Sequence, residues 1–225
     1  MQRGWIYDKI VSYLKKGSVL KLKIKKIEPR FSGSNSYIIY DENSGDGVMI
    51  DPSTDGETLL NAAKGISIKY IILTHAHFDH IGALEAVAEE TGAPVVIHED
   101  EAPSLIDTSY NLCLLAGEKE NKKAADITVA DGDEMTVGDI KLRFVHTPGH
   151  TKGSMCIFAG DKDLITGDTL FRGCIGRTDL KGGNSNDILK SVNELAKLCD
   201  DITIYPGHGE VSTIGFEKMT NPYIL

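Results

Sequence analysis

Thr74 to Ala83 reads THAHFDHIGA, which crowds three histidines and an aspartate into the six positions from His75 to His80. Imidazole is the commonest metal-binding side chain, and carboxylate is its hard-oxygen complement. A polar loop capping a helix would explain one histidine; several imidazoles side by side at neutral pH point to a cation. Three later stretches add donors of the same kind: His150 in TPGHTKGS (147–154), Asp168 in TGDTLF (166–171) and His208 in YPGHGE (205–210). Each follows a glycine, which lets the backbone come close to a bound ion. Five histidines with Asp79 and Asp168 are too many for one tetrahedral ion and suit two ions sharing a bridge. His98 and His146 are left over and read as strand-end residues satisfied by hydrogen bonds.

These donors need rigid elements behind them, and apolar runs precede most of them. YIILT (70–74) leads into the cluster, IKLRFVH (140–146) towards His150, DLIT (163–166) towards Asp168 and ITIYP (202–206) towards His208. All read as strands, and loops leaving a strand end are held on a firm scaffold. SYIIYD (36–41), GVMIDP (47–52), PVVIH (94–98) and SMCIFA (154–159) read likewise. Leu22 and Ile24 alternating with Lys21, Lys23 and Lys25 predict an edge strand guarded by outward lysines. Apolar spacing predicts helices over about 4–16 (stopped by Gly17), 56–64 and 187–198, and one starting near His80; 99–123 reads as irregular helix. Strands flanked by helices in both halves predict an α/β fold of two sheets packed face to face, with helices outside. Residues 1–18 form an N-terminal helical extension in this reading, and 19–225 a single domain.

The 225 residues are 41% hydrophobic and 25% charged, as in ordinary globular proteins. No run is long enough to span a bilayer, and the first residues lack a signal-peptide core. Four cysteines without a C-x-x-C pair suggest free thiols in a reducing compartment, so the expected location is the cytoplasm. The net charge of −9 is uneven: residues 1–30 hold nine Lys or Arg against two acids, leaving −16 on the rest. So acidic a body argues against nucleic acid as the main partner. The basic start, with Trp5, Ile6, Ile10 and Leu14 as its apolar weight, is expected to pack on the chain's own sheet or on a second subunit in a homo-oligomer.

In order along the chain, H-x-H-x-D-H (75–80), the single His150, Gly167-Asp168 and Gly207-His208 resemble the metallo-β-lactamase superfamily. The resemblance implies a four-layer αββα sandwich with two divalent ions at one edge, zinc expected and iron or manganese as alternatives. It makes His75, His77 and His150 ligands of the first ion and Asp79, His80 and His208 ligands of the second. Asp168 would bridge both, and Asp79 and Asp168 are the implied catalytic carboxylates. Asp51 resembles the family's acid that orients a ligand; its plainer reading is a turn-starting residue before Pro52.

The stretch GDTLFRGCIGRTDLKGGN (167–184) and the ending TIGFEKMTNPYIL look like short glyoxalase II-type hydrolases, which lack a C-terminal helical domain. That likeness implies a thioesterase acting on a small-molecule acyl thioester. Persulfide dioxygenases are also similar and imply one iron held by His75 or His77, His150 and Asp168. A β-lactamase or lactonase ranks lower, because many zinc β-lactamases place Cys where this chain has Asp168. Arg177, in the same loop, either binds a substrate carboxylate bidentately or pairs with Asp179.

Overall fold

The computed structural model describes residues 22–29, 33–53 and 55–224. The helix expected over 4–16, its stop at Gly17 and the extension 1–18 lie outside the described residues.

Two six-stranded sheets form the body. The first runs β1 (Leu22–Ile27), β2 (Ser36–Asp41), β3 (Asp46–Ile50), β4 (Ser67–Ile72), β5 (Val95–His98) and β6 (Ile127–Val129) in sequence order. It is antiparallel to β3 and parallel thereafter. The second contains β7 (Glu134–Val137), β8 (Ile140–His146), β9 (Met155–Ala159), β10 (Asp163–Gly167), β13 (Thr203–Pro206) and β14 (Ser212–Thr213), ordered β14-β13-β10-β9-β8-β7. A short hairpin, β11 (Leu170–Phe171) and β12 (Cys174–Ile175), follows β10.

Residue parity along the strands builds the layers, since successive side chains face opposite sides of a sheet. Ile39, Val48, Ile50, Ile72 and Val96 face inward to meet Leu142, Phe144, Met155, Ile157 and Ile165 of the other sheet. Their neighbours Ile38, Met49, Ile71, Val95 and Ile97 face outward to Leu59 of α1 (Gly56–Ala62) and Leu84 and Val87 of α3 (Leu84–Thr91). On the second sheet Cys156, Phe158 and Leu164 face Ile188, Val192 and Leu195 of α5 (Ser185–Leu195) and Ile214 of α6 (Ile214–Thr220). Strands apolar on both faces therefore require helix on one side and sheet on the other, an αββα sandwich. Each fully buried Ile, Leu or Phe contributes roughly 1.5–3 kcal/mol of transfer free energy.

Side-chain caps fix where the helices start. Asp55 accepts from Thr58 N–H at α1, and Asn184 from the N–H groups of Asn186 and Asp187 at α5. The expected edge position holds with Lys23 exposed, but Lys25 is half-buried and donates to the Ala62 carbonyl, and Lys21 lies outside the described residues. Residues 99–123 differ from expectation: only a 3-10 turn over Ala102–Ile106 and the single turn α4 (Cys113–Ala116) are helical. Asn111 and Asn121 hold the rest by donating to the Leu105 carbonyl. All four cysteines are free. No helix among the described residues is long and apolar enough to cross a membrane.

Candidate metal centre

All seven donors picked from the sequence converge on one edge of the sandwich, where β3, β4, β10 and β13 end. His75 follows β4; His77 caps α2 (Phe78–Ile81), which carries Asp79 and His80. His150 stands on the turn between β8 and β9, Asp168 just past β10 and His208 just past β13. Glycines permit these turns to close. A Cβ on Gly167 (φ 48°) would lie 2.6 Å from Thr74 Cβ, and one on Gly207 2.2 Å from Asp168 Oδ1.

Hydrogen bonds decide which imidazole nitrogen faces the centre. His150 Nδ1–H donates to the Arg177 carbonyl at 2.8 Å, and His80 Nδ1–H to Asp51 Oδ2 at 2.8 Å. Thr74 donates its only hydroxyl proton to Asp51 Oδ2 at 2.7 Å, so its oxygen receives His75 Nδ1–H at 3.2 Å. Nε2 of His75, His80 and His150 is thereby the ring nitrogen that faces the centre, the orientation metal-binding histidines require. His77 Nδ1 then lies 3.1 Å from His75 Nε2 and 2.9 Å from His150 Nε2. A proton on His77 Nδ1 can point at only one of these two lone pairs, whereas a cation among the three nitrogens satisfies all of them, and about 3.4 Å separates ligands of a tetrahedral ion with ~2.0–2.1 Å bonds.

Asp168 faces both halves of the centre. Its Oδ1 is 3.3 Å from His80 Nε2, and its Oδ2 is 3.5 Å from both His150 Nε2 and His208 Nε2. Asp79 Oδ2 is 3.2 Å from His208 Nε2 and 3.9 Å from His80 Nε2. His77 Nε2, His80 Nε2 and Asp168 Oδ1 are buried without a well-aligned hydrogen bond among the described residues, and the last two face each other across the 3.3 Å gap. A buried polar atom left unpaired is costly, so these orphans fit divalent metal.

The protonation states divide the centre. Burial, then repulsion from neighbouring imidazoles, holds His75 well below the usual range and His77 at about 3; burial also lowers His150. These three are neutral lone-pair donors. Burial opposes charge on His80, but Asp168, Asp51 and Asp79 outweigh it and hold it well above the usual range. At His208 burial is likewise overcome, by hydrogen bonds to Asp168 and Asp79, and the imidazole rises to about 9. Burial disfavours the Asp168 carboxylate, yet His80 and His208 hold it well below the usual range. Protons on His80 and His208 thus supply positive charge to the acids where a cation would supply more.

The His208 turn is held from the opposite sheet. Asn35 donates to the Pro206 and Gly209 carbonyls, and Tyr37 and Lys26 to the Pro206 and Gly209 carbonyls respectively. Arg177 makes a bidentate pair with Asp179 at 2.7 and 2.6 Å, one of the two states its loop allowed, and its carbonyl orients His150. A second cluster, His98, Asp100 and His146, also has three donors within reach of one point. Its groups already have partners: His98 Nδ1 accepts from Asp100 N–H, His146 Nε2 donates to the Lys152 carbonyl, and Lys152 pairs with Asp100 at 3.3 Å. The two rings stack with centroids 4.1 Å apart, so their in-plane lone pairs do not converge. Thr74 and the Arg177 carbonyl were not assigned from sequence; Thr74 at least adjoins the motif.

Two sheets, helices outside and a His/Asp centre at the strand ends define a metallo-hydrolase class. A profile of the metallo-beta-lactamase superfamily matches residues 29–208, and the chain belongs to that superfamily. It is 37% identical over 196 residues to the probable metallo-hydrolase YqgX of Bacillus subtilis, covering 85% of this chain and 92% of that protein. It is 29% identical over 200 residues to the hydroxyacylglutathione hydrolase GloC of Haemophilus influenzae, covering 84% and 92%. Among solved structures it is similar to the BLEG-1 B3 metallo-beta-lactamase, with 35% identity, TM-score 0.85 and coverage of 90% and 99%. It is also similar to TTHA1623 in a di-iron-bound form, with 30% identity, TM-score 0.76 and coverage of 88% and 100%.

Proposed function

We propose that the chain is a metal-dependent thioesterase of the glyoxalase II type, using two divalent ions, zinc first among the candidates. The observation that carries this reading is Asp168, whose two oxygens face His80 on one side and His150 on the other at 3.3 and 3.5 Å. That placement suits a carboxylate shared by two ions, with His75, His77 and His150 on one and Asp79, His80 and His208 on the other. Ions at such a site supply hydroxide at neutral pH and Lewis-acid polarisation of a carbonyl.

The chain's own residues do the positioning. Asp51, Thr74 and the Arg177 carbonyl hold three imidazoles with Nε2 inward. The His208 side chain, 41% exposed, is the one donor imidazole open to solvent among the described residues and so the side from which a substrate would approach. A thiol of pKa about 8.5 leaves as thiolate without a proton donor, whereas an amide nitrogen needs one. Similarity to GloC and the 167–184 loop support a thioester, and similarity to BLEG-1 is the observation that favours a β-lactam.

The test is turnover of S-lactoyl-glutathione and simpler acyl thioesters beside a chromogenic β-lactam, with oxygen consumption recorded. Thiol release without oxygen uptake, and slow or no β-lactam opening, is expected. Oxygen uptake on a persulfide with no thioester turnover would move the assignment to the dioxygenase.

A further inference from the structure

Glu101 is a buried carboxylate outside the metal-facing set. It lies just past β5 and is 2% exposed. Its Oε1 accepts the Ala76 N–H at 3.1 Å, and its Oε2 accepts the Thr151 hydroxyl and the Gly153 N–H, each at 2.9 Å. Ala76 stands between His75 and His77, and Thr151 and Gly153 follow His150. One side chain therefore joins the two backbone segments that carry the three neutral imidazoles.

The packing around it is close. A Cβ on Gly153 would lie 2.4 Å from Glu101 N and 2.5 Å from Glu101 Cβ, so a glycine is needed for the two turns to meet. Nearby, His146 and Asp100 hold Lys152 on the same turn. The opposite half of the centre uses other supports: Asp51 for His80, and Asn35, Tyr37 and Lys26 for the His208 turn.

We propose that Glu101 is a positioning residue for the His75/His77/His150 half-site, setting the spacing between its two segments and hence its metal affinity, without governing the Asp79/His80/His208 half. This rests on the metal-binding reading of the centre given above. The carboxylate is needed rather than an isosteric amide because it accepts on both sides. In Glu101→Gln the NH2 must face either the Ala76 N–H or the Gly153 N–H, and that segment is released.

Metal-free wild type and Glu101→Gln are titrated with cobalt(II), well below their melting midpoints. Calorimetry gives the affinities, and the ring N–H proton signals of His75, His150 and His80 report which half fills. Wild type is expected to take up two ions. Glu101→Gln is expected to lose roughly 10- to 100-fold at one of them, the scale seen when an outer partner of a metal ligand is removed. The His75 and His150 signals should then respond only at high cobalt, with His80 responding as in wild type. A purely structural role would lower the melting midpoint and leave both affinities alone. That result, or equal weakening of both sites, overturns the proposal. If Glu101→Gln does not fold, Thr151→Val, which removes one donor of the three, must show a smaller loss confined to the same half, and no selective loss would overturn the proposal. Failure of wild type to bind metal would overturn the metal reading itself; unchanged binding in the variants overturns only the role of Glu101.

Discussion

Asp51 adopts φ 48°, a left-handed conformation uncommon outside glycine, asparagine and aspartate. That turn ends β3 and aims the carboxylate at β4, where Oδ1 accepts Thr74 N–H and Oδ2 accepts both the Thr74 hydroxyl and His80 Nδ1–H. One residue thus forms the turn and hydrogen-bonds His80, so the two readings of Asp51 are compatible. Asn tolerates the same backbone angle, so Asp51→Asn isolates the side chain's chemistry. Its amide presents NH2 where a donor already points, so His80 or Thr74 loses its partner. Thioester turnover or metal affinity is expected to fall roughly 10- to 100-fold, with the fold retained by circular dichroism. Full activity and full metal content in that variant would remove Asp51 from the centre.

Elements carry these residues because buried strands stop where the polar motifs begin. β8 matches the sequence expectation residue for residue, and β2 likewise, since each is a continuous or alternating apolar run bounded by turn residues. β6, β7 and β14 were not read because they are two to four residues long and half exposed at sheet edges. The convergence of the seven His and Asp residues was legible because each stands inside a short local pattern. Glu101 was not, because its partners lie 25, 50 and 52 positions away and no local spacing marks it. The His150 turn shows how tightly one element constrains another. Gly149 has φ 137°, and a Cβ there would lie 2.2 Å from the backbone nitrogen of Ile188 in α5. Gly149→Ala must therefore move the turn or the helix, and is expected to cost at least about 2 kcal/mol in chemical denaturation. It should also weaken metal binding through His150; an unperturbed midpoint would show that α5 yields easily.

Along the whole chain, charge separates a basic start from an acidic body. β1 is one of the two outer strands of its sheet, and Lys26 reaches from it to the carbonyl beside His208. Deleting residues 1–18 is expected to lower the melting temperature or the solution mass and leave metal content unchanged. Melts, light scattering and liposome co-sedimentation of both forms check this. Unchanged melting and mass with loss of liposome binding would make the segment a membrane contact. The proposed sharing of Asp168 by two ions makes both sites depend on one carboxylate. Elemental analysis of wild type and Asp168→Ala, purified without added metal, tests it most directly. About two divalent ions per wild-type chain are predicted, with both sites depleted in the variant. One iron per wild-type chain, or full occupancy of both sites in Asp168→Ala, would contradict it.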